Sequence, residues 1–234
     1  MGSCTITIQR GGIIVLPKKE TLVFFFLYTF IFLLNGYQLL PRAVWGPFQL
    51  ATYVLLALLG LHAWRRELAD KLGWIVQHKW KSCLILLLGY VLAICCDGVF
   101  SLILSYLQEL AAGTVAMTNE GNIGKILQLY PAWMIIPIVG ILGPIVEELF
   151  YRQFLASYLE DRFGRVVAIS LSGLLFAASH LHSWELREVI GLLGYLGSGL
   201  VYSGLFLKTN RNIYFSSLLH IFSNTSLLLV YYLP

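Results

Sequence analysis

Long apolar blocks separated by short polar connections run through the chain, at about 21–40, 47–64, 82–107, 130–155, 166–183, 189–207 and 212–233. Each is long enough, or nearly so, to cross about 30 Å of hydrocarbon as a helix. The pattern predicts an all-α fold, a polytopic bundle of about seven spans forming one domain over 21–234. Residues 1–20 read as a partly polar lead-in, mobile or interfacial, in which Gly11-Gly12 and Pro17 oppose a long helix. Residues 65–81 mix Arg65, Arg66, Lys71, Lys79 and Lys81 with Trp74 and Trp80, the signature of an interfacial amphipathic segment. Residues 108–129, rich in Gly and Asn, form the longest turn-rich connection and are placed to act as a lid.

Composition agrees with the pattern. Hydrophobic residues make up 58% and charged ones 12%, against about 25% charged in soluble domains, and mean hydropathy is +0.77. Basic residues concentrate in alternate connections, twelve against three with Arg152 set aside, which places the N-terminus on the cytoplasmic side. Basic connections facing anionic lipid account for the pI near 8.9 without nucleic acid as a partner. Cys4, Cys83, Cys95 and Cys96 lack C-x-x-C spacing, so neither a thiolate zinc site nor a disulfide framework is indicated. Ile6 stands where a myristoylation signal wants Ser or Thr, and the block from Leu22 is too long for the apolar part of a cleaved signal peptide.

Charge inside the apolar blocks is the informative exception. No charged side chain occurs from Tyr130 to Val146, and then Glu147, Glu148 and Arg152 arrive together. Charges in hydrocarbon are costly unless they face a protein-lined or watery interior. On a helix Glu148 and Arg152 lie about 40° apart and pair on one face, while Glu147 lies about 100° away on the face of Gly140, Gly143 and Pro144. Pro144 lacks an amide and predicts a kink there. The plainer reading of the cluster is an ion pair that locks helix packing.

Later blocks add chemistry at helical spacing. Phe176 and His180 share a face of the fifth, and His220 and Asn224 share a face of the seventh. His182 is off the first of these faces and reads as interfacial. The sixth block repeats Gly191, Gly194, Gly197, Gly199 and Gly204 with Ser198 and Ser203, which lets neighbouring backbones approach closely. Asp97 in the third requires a partner or a cavity, and reads either as a proton or ion site or as a carboxylate bonded at a helix break beside Gly98.

The ordered set Glu147-Glu148-x-x-x-Arg152, Phe176-x-x-x-His180 and His220-x-x-x-Asn224 resembles the CPBP family. That family joins CAAX prenyl endopeptidases of the Rce1 type with bacteriocin-processing and self-immunity (Abi) proteins. The resemblance covers about 130–234. It implies an intramembrane endopeptidase with Glu147 as base, His180 as its partner, and His220 with Asn224 supporting the transition state, with Glu148, Arg152 and Phe176 in support. A membrane-anchored or prenylated peptide is the implied substrate, beside membrane lipids.

The residue types leave the chemistry open. A carboxylate beside an imidazole can take a proton from water, and His220 and Asn224 can bind the oxyanion that follows. The same groups allow a zinc version in which Glu147 or Glu148, His180 and His220 are ligands. The metal-free form is favoured because Asn224 is a poor zinc ligand and a good oxyanion donor. A non-enzymatic immunity protein is the alternative class, and a transporter using Asp97 and Glu147 lacks the internal repeats expected of it. One conflict stands in the pattern: centring each span on its charge-free stretch separates Glu147 from His180 by roughly 15 Å along the membrane normal.

Overall fold

The computed structural model describes residues 6–9, 12–15, 18–110 and 118–233. Within the lead-in, strands β1 (Ile6–Gln9) and β2 (Gly12–Val15) pair antiparallel, a feature the sequence pattern does not predict. Everything else with regular structure is helical: α1 (Lys19–Tyr28, continued as a π-helix over Thr29–Leu33), α2 (Trp45–Ala63), α3 (Arg65–Gln77) and α4 (Lys79–Leu110) form the first half. The second half is α5 (Thr118–Leu129), α6 (Ala132–Phe163), α7 (Arg165–Ala178), α8 (Leu186–Gly191), α9 (Leu193–Lys208) and α10 (Ile213–Tyr232).

Five of these stretches are long and apolar enough to cross a membrane: Arg42–Ala63, Lys79–Leu110, Ala132–Phe163, Leu186–Lys208 and Ile213–Tyr232. The blocks at 21–40 and 166–183 fold into shorter helices, α1 with its π-helical extension and the 14-residue α7. Asn35 adopts a left-handed conformation after α1, and a 3-10 turn follows, so local backbone chemistry ends that helix before its apolar run ends. The protein is an integral membrane protein with about seven apolar segments. The amphipathic stretch is helical as α3. The turn-rich connection is helical in its described part, 108–110 as the end of α4 and Thr118–Leu129 as α5, while residues 111–117 lie outside the described residues.

α4 faces outward along most of its length, with Leu84, Leu87, Leu88, Leu92 and Leu102 all more than half exposed, as a lipid-facing helix should be. The core instead gathers on α6. Its residues Leu149, Phe150 and Tyr151 are buried against Phe24, Tyr28, Leu56 and Trp64 of the first two helices and their exit. Tyr28 stacks on Phe150 with ring centres 4.2 Å apart, and Phe25 meets Phe154 at 4.6 Å. A Cβ on Gly60 would sit 2.7 Å from Leu149 Cδ1, so the bare backbone of α2 is what lets α6 come this close.

Two turns set the heights of the site-bearing helices. α6 does not stop near Arg152; it runs to Phe163 and reverses at Gly164, whose φ of 82° belongs to the region where a residue without Cβ is unstrained. Glu147 and His180 thus stand at nearly equal distances from the turn, which removes the depth conflict. The second turn precedes α10, with Asn210 and Arg211 both left-handed and Asn212 capping α10 by accepting from the Tyr214 amide at 3.3 Å. Arg211 fastens this turn to the end of α6 through Glu160 at 2.8 Å and Asp161 at 2.6 Å.

Candidate active site

α6 carries its acidic pair on a short α-helical segment, Gly143–Glu148, between two π-helical stretches, Ile136–Leu142 and Leu149–Ala156. π-turns of this kind often accompany functional sites. Pro144 has no amide to give the carbonyl of Gly140, and that carbonyl instead accepts from the Thr225 hydroxyl of α10 at 3.2 Å. Gly140 permits the approach, since a Cβ there would lie 3.1 Å from Thr225 Oγ1. A missing donor on one helix thereby docks the helix that carries His220 and Asn224.

Glu148 is fully buried and doubly engaged. Its Oε1 lies 3.2 Å from Nη1 of Arg152 and accepts from Nδ1 of His220 at 3.1 Å. Arg152, equally buried, donates from Nη2 to the Gly199 carbonyl at 3.2 Å and lies 4.5 Å over the ring of Phe176. Gly173 and Gly199 bring α7 and α9 into backbone contact, a Cβ on Gly199 meeting the Gly173 carbonyl at 2.8 Å. That approach aims the Gly199 carbonyl at the guanidinium. Ser172 Oγ adds a 2.8 Å bond to the Tyr151 carbonyl, which fixes α7 against α6 beside the site.

Glu147 stays off the arginine. Its Oε2 is 3.7 Å from Nε2 of His220, and its side chain keeps 17% of its surface. With Nδ1 donating to Glu148, one imidazole spans both carboxylates.

His180, at the end of α7, donates from Nδ1 to the Phe176 carbonyl at 3.0 Å, which leaves Nε2 with its lone pair. Phe176 meets His180 edge-to-face at 5.1 Å and His220 edge-to-face at 5.5 Å, so a single phenyl ring touches both imidazoles. Asn224, half-buried one turn beyond His220, makes no hydrogen bond to another described residue. His182 is exposed, as its off-face position predicts.

The sequence reading misses one wall. On α9, Tyr195 stacks on His180 with ring centres 4.0 Å apart, Gly199 meets Arg152, and Tyr202 lies 5.3 Å from His220. These positions follow the i, i+4, i+7 stripe of one helical face. The signal was present, hidden because Tyr is common in apolar spans and the glycines draw attention to packing. Asp97 lies outside the cluster, against Gly197, with Oδ1 buried and without a hydrogen bond. Together with Tyr202, Phe222, Ser223 and Ser226 it lines a groove of about 370 Å³ between α4 and α10.

As a metal site the cluster fits poorly. Among the described residues no three His, Cys, Asp or Glu side chains are grouped to hold an ion, and that includes Glu147, His180 and His220. Glu148 and His220 already spend their inner atoms on each other and on Arg152.

Residues 129–226 match the Type II CAAX prenyl endopeptidase Rce1-like family. This Rce1-like stretch contains all three motifs, from Glu147 through Asn224, and excludes the first four helices. Comparisons with curated proteins and with solved structures give no match.

Proposed function

We propose that the protein is an intramembrane endopeptidase that hydrolyses a peptide bond of a membrane-anchored, prenylated substrate with water activated by Glu147. The observation that carries this reading is the unequal treatment of adjacent carboxylates: Glu148 is sealed and paired, while Glu147 is partly open and unpaired with arginine. A protein that used the pair only to lock helices would have no reason to hold Glu147 clear of Arg152.

The geometry supports the following steps. Glu147 takes a proton from water as its oxygen attacks the carbonyl carbon, and the carbonyl oxygen becomes an oxyanion. Asn224, with an uncommitted amide, is the group suited to donate to the oxyanion, and His180, whose Nε2 keeps its lone pair, is suited to accept from the attacking water as the partner of Glu147. His220, held by Glu148, keeps its Nε2 beside Glu147 and stabilises the proton while it resides there. The C–N bond then breaks and the proton moves to the leaving amine, restoring Glu147. The Rce1-like match supports the peptidase class. The basic connections support a cytoplasmic N-terminus.

The test is Glu147→Gln, which keeps shape and removes basicity. Parent and variant are reconstituted in lipid and offered membrane-anchored peptides, farnesylated CAAX sequences among them, with and without a strong chelator followed by zinc. Cleavage falls by about 10²–10⁴-fold in the variant and persists under chelation. A variant that cleaves like the parent removes Glu147 as base, loss to chelator with recovery in zinc replaces the metal-free chemistry, and protection from a bacteriocin without cleavage makes the protein an immunity factor.

A further inference from the structure

We infer that Tyr195 is a positioning residue for His180 and that Asn119, on the first turn of α5, holds Tyr195 in place; this rests on the proposed hydrolytic role of His180. The two rings lie face to face, 4.0 Å between centres and 15° between planes. On another side the edge of Phe176 approaches at 5.1 Å, and Nδ1 is bonded to the Phe176 carbonyl at 3.0 Å. A histidine two residues past the last residue of α7 is not held by helix packing on every side, so its ring plane depends on these neighbours. Stacking supplies that restraint, and the carbonyl selects the tautomer with a free Nε2.

The hydroxyl of Tyr195 is tied down in turn. Asn119 Nδ2 donates to it at 3.2 Å. The adjacent Thr118 amide donates to Glu188 Oε1 at 2.6 Å, and the His182 amide donates to Oε2 of the same carboxylate at 3.3 Å. Glu188 is almost fully buried. The start of α5 is therefore anchored twice, once to the ring stacked on His180 and once to the strand of chain just beyond it. Tyr232 fixes the far end of α5, its one hydroxyl proton shared between the Leu127 and Tyr130 carbonyls at 3.1 and 2.9 Å. α5 acts as a brace across the site, and the segment belongs to the catalytic geometry although only its last residue falls in the family match.

The experiment compares Tyr195→Leu, Tyr195→Phe and Asn119→Ala with His180→Ala in lipid nanodiscs. Steady-state cleavage is read with ¹⁵N spectra of histidine-labelled protein, in which His180→Ala assigns the His180 signals. Tyr195→Leu lowers kcat about 10–100-fold with KM unchanged, the scale of a misplaced catalytic group, and moves the His180 ¹⁵N pair away from the Nδ1–H tautomer. Tyr195→Phe keeps the stack but loses the bond from Asn119, so it and Asn119→Ala each lower kcat less than Tyr195→Leu does and shift the His180 signals in part, and combining the two costs no more than Asn119→Ala alone. A purely structural tyrosine would lower thermal midpoint without moving the tautomer or separating kcat from KM. Unchanged ¹⁵N signals and kcat in Tyr195→Leu, beside an inactive His180→Ala, overturn the inference and leave the proposed function standing. Full activity in His180→Ala overturns the proposed function, and the ¹⁵N signals still decide whether Tyr195 orients the ring. If Tyr195→Leu does not fold, unshifted His180 signals in Asn119→Ala overturn it.

Discussion

Nδ1 of His220 lies 3.1 Å from Oε1 of Glu148. The carboxylate can only accept, so the contact places the ring proton on Nδ1 and leaves Nε2 toward Glu147. In the proposed hydrolysis Glu148 would act through the imidazole, in the manner of a buried acid that fixes a catalytic tautomer.

Glu148→Gln should cut cleavage by about 10²-fold or more while KM changes little, because the amide can present the wrong group to Nδ1. Steady-state kinetics in lipid check this, with the thermal midpoint in detergent as control. Equal activity in parent and variant would mean that His220 needs no partner.

Arg152→Ala should damage folding more than any other single change in the site. It leaves Glu148 buried beside no cation, at a cost on the order of 3–5 kcal/mol. Glu148→Gln/Arg152→Gln removes both charges and should recover part of that loss. Thermal unfolding in detergent separates the two, and a single variant as stable as the parent would refute the pairing.

Gly173→Ala should destabilise by about 1–3 kcal/mol, since its Cβ would meet Leu200 N at 3.0 Å and the Gly199 carbonyl carbon at 3.1 Å, backbone atoms that cannot swing aside. Gly98→Ala is the matched control. Nothing lies within 4 Å of its added Cβ, and helix propensity should make it neutral or stabilising by up to about 1 kcal/mol. Thermal midpoints of the two variants should move apart.

Asn224→Ala should leave the thermal midpoint near the parent's, because the side chain makes no hydrogen bond to another described residue. Cleavage should fall about 10²–10³-fold as a donor to the oxyanion is lost. An equal fall in stability and activity would assign Asn224 to packing.

Much of this was legible locally. The pairing of Glu148 with Arg152, the separation of Glu147 from both, and the faces shared by Phe176 with His180 and by His220 with Asn224 all follow from 3.6 residues per turn. Hydropathy likewise determined the helical, membrane-spanning character. What the sequence could not fix was contact between helices. The close backbone approach at Gly173 and Gly199, the length of α6 up to the reversal at Gly164, and the docking of Thr225 on the carbonyl orphaned by Pro144 decide which helix faces meet. Those choices let His220 reach both glutamates and made α9 a wall of the site through Tyr195 and Tyr202. Intrahelical neighbours are dictated by a fixed local geometry, whereas partners across helices depend on turn conformation, helix length and the few small residues that allow close approach. The candidate residues were therefore written in the sequence, and the meeting of Glu147, Glu148 and Phe176 around the His220 imidazole was decided by packing.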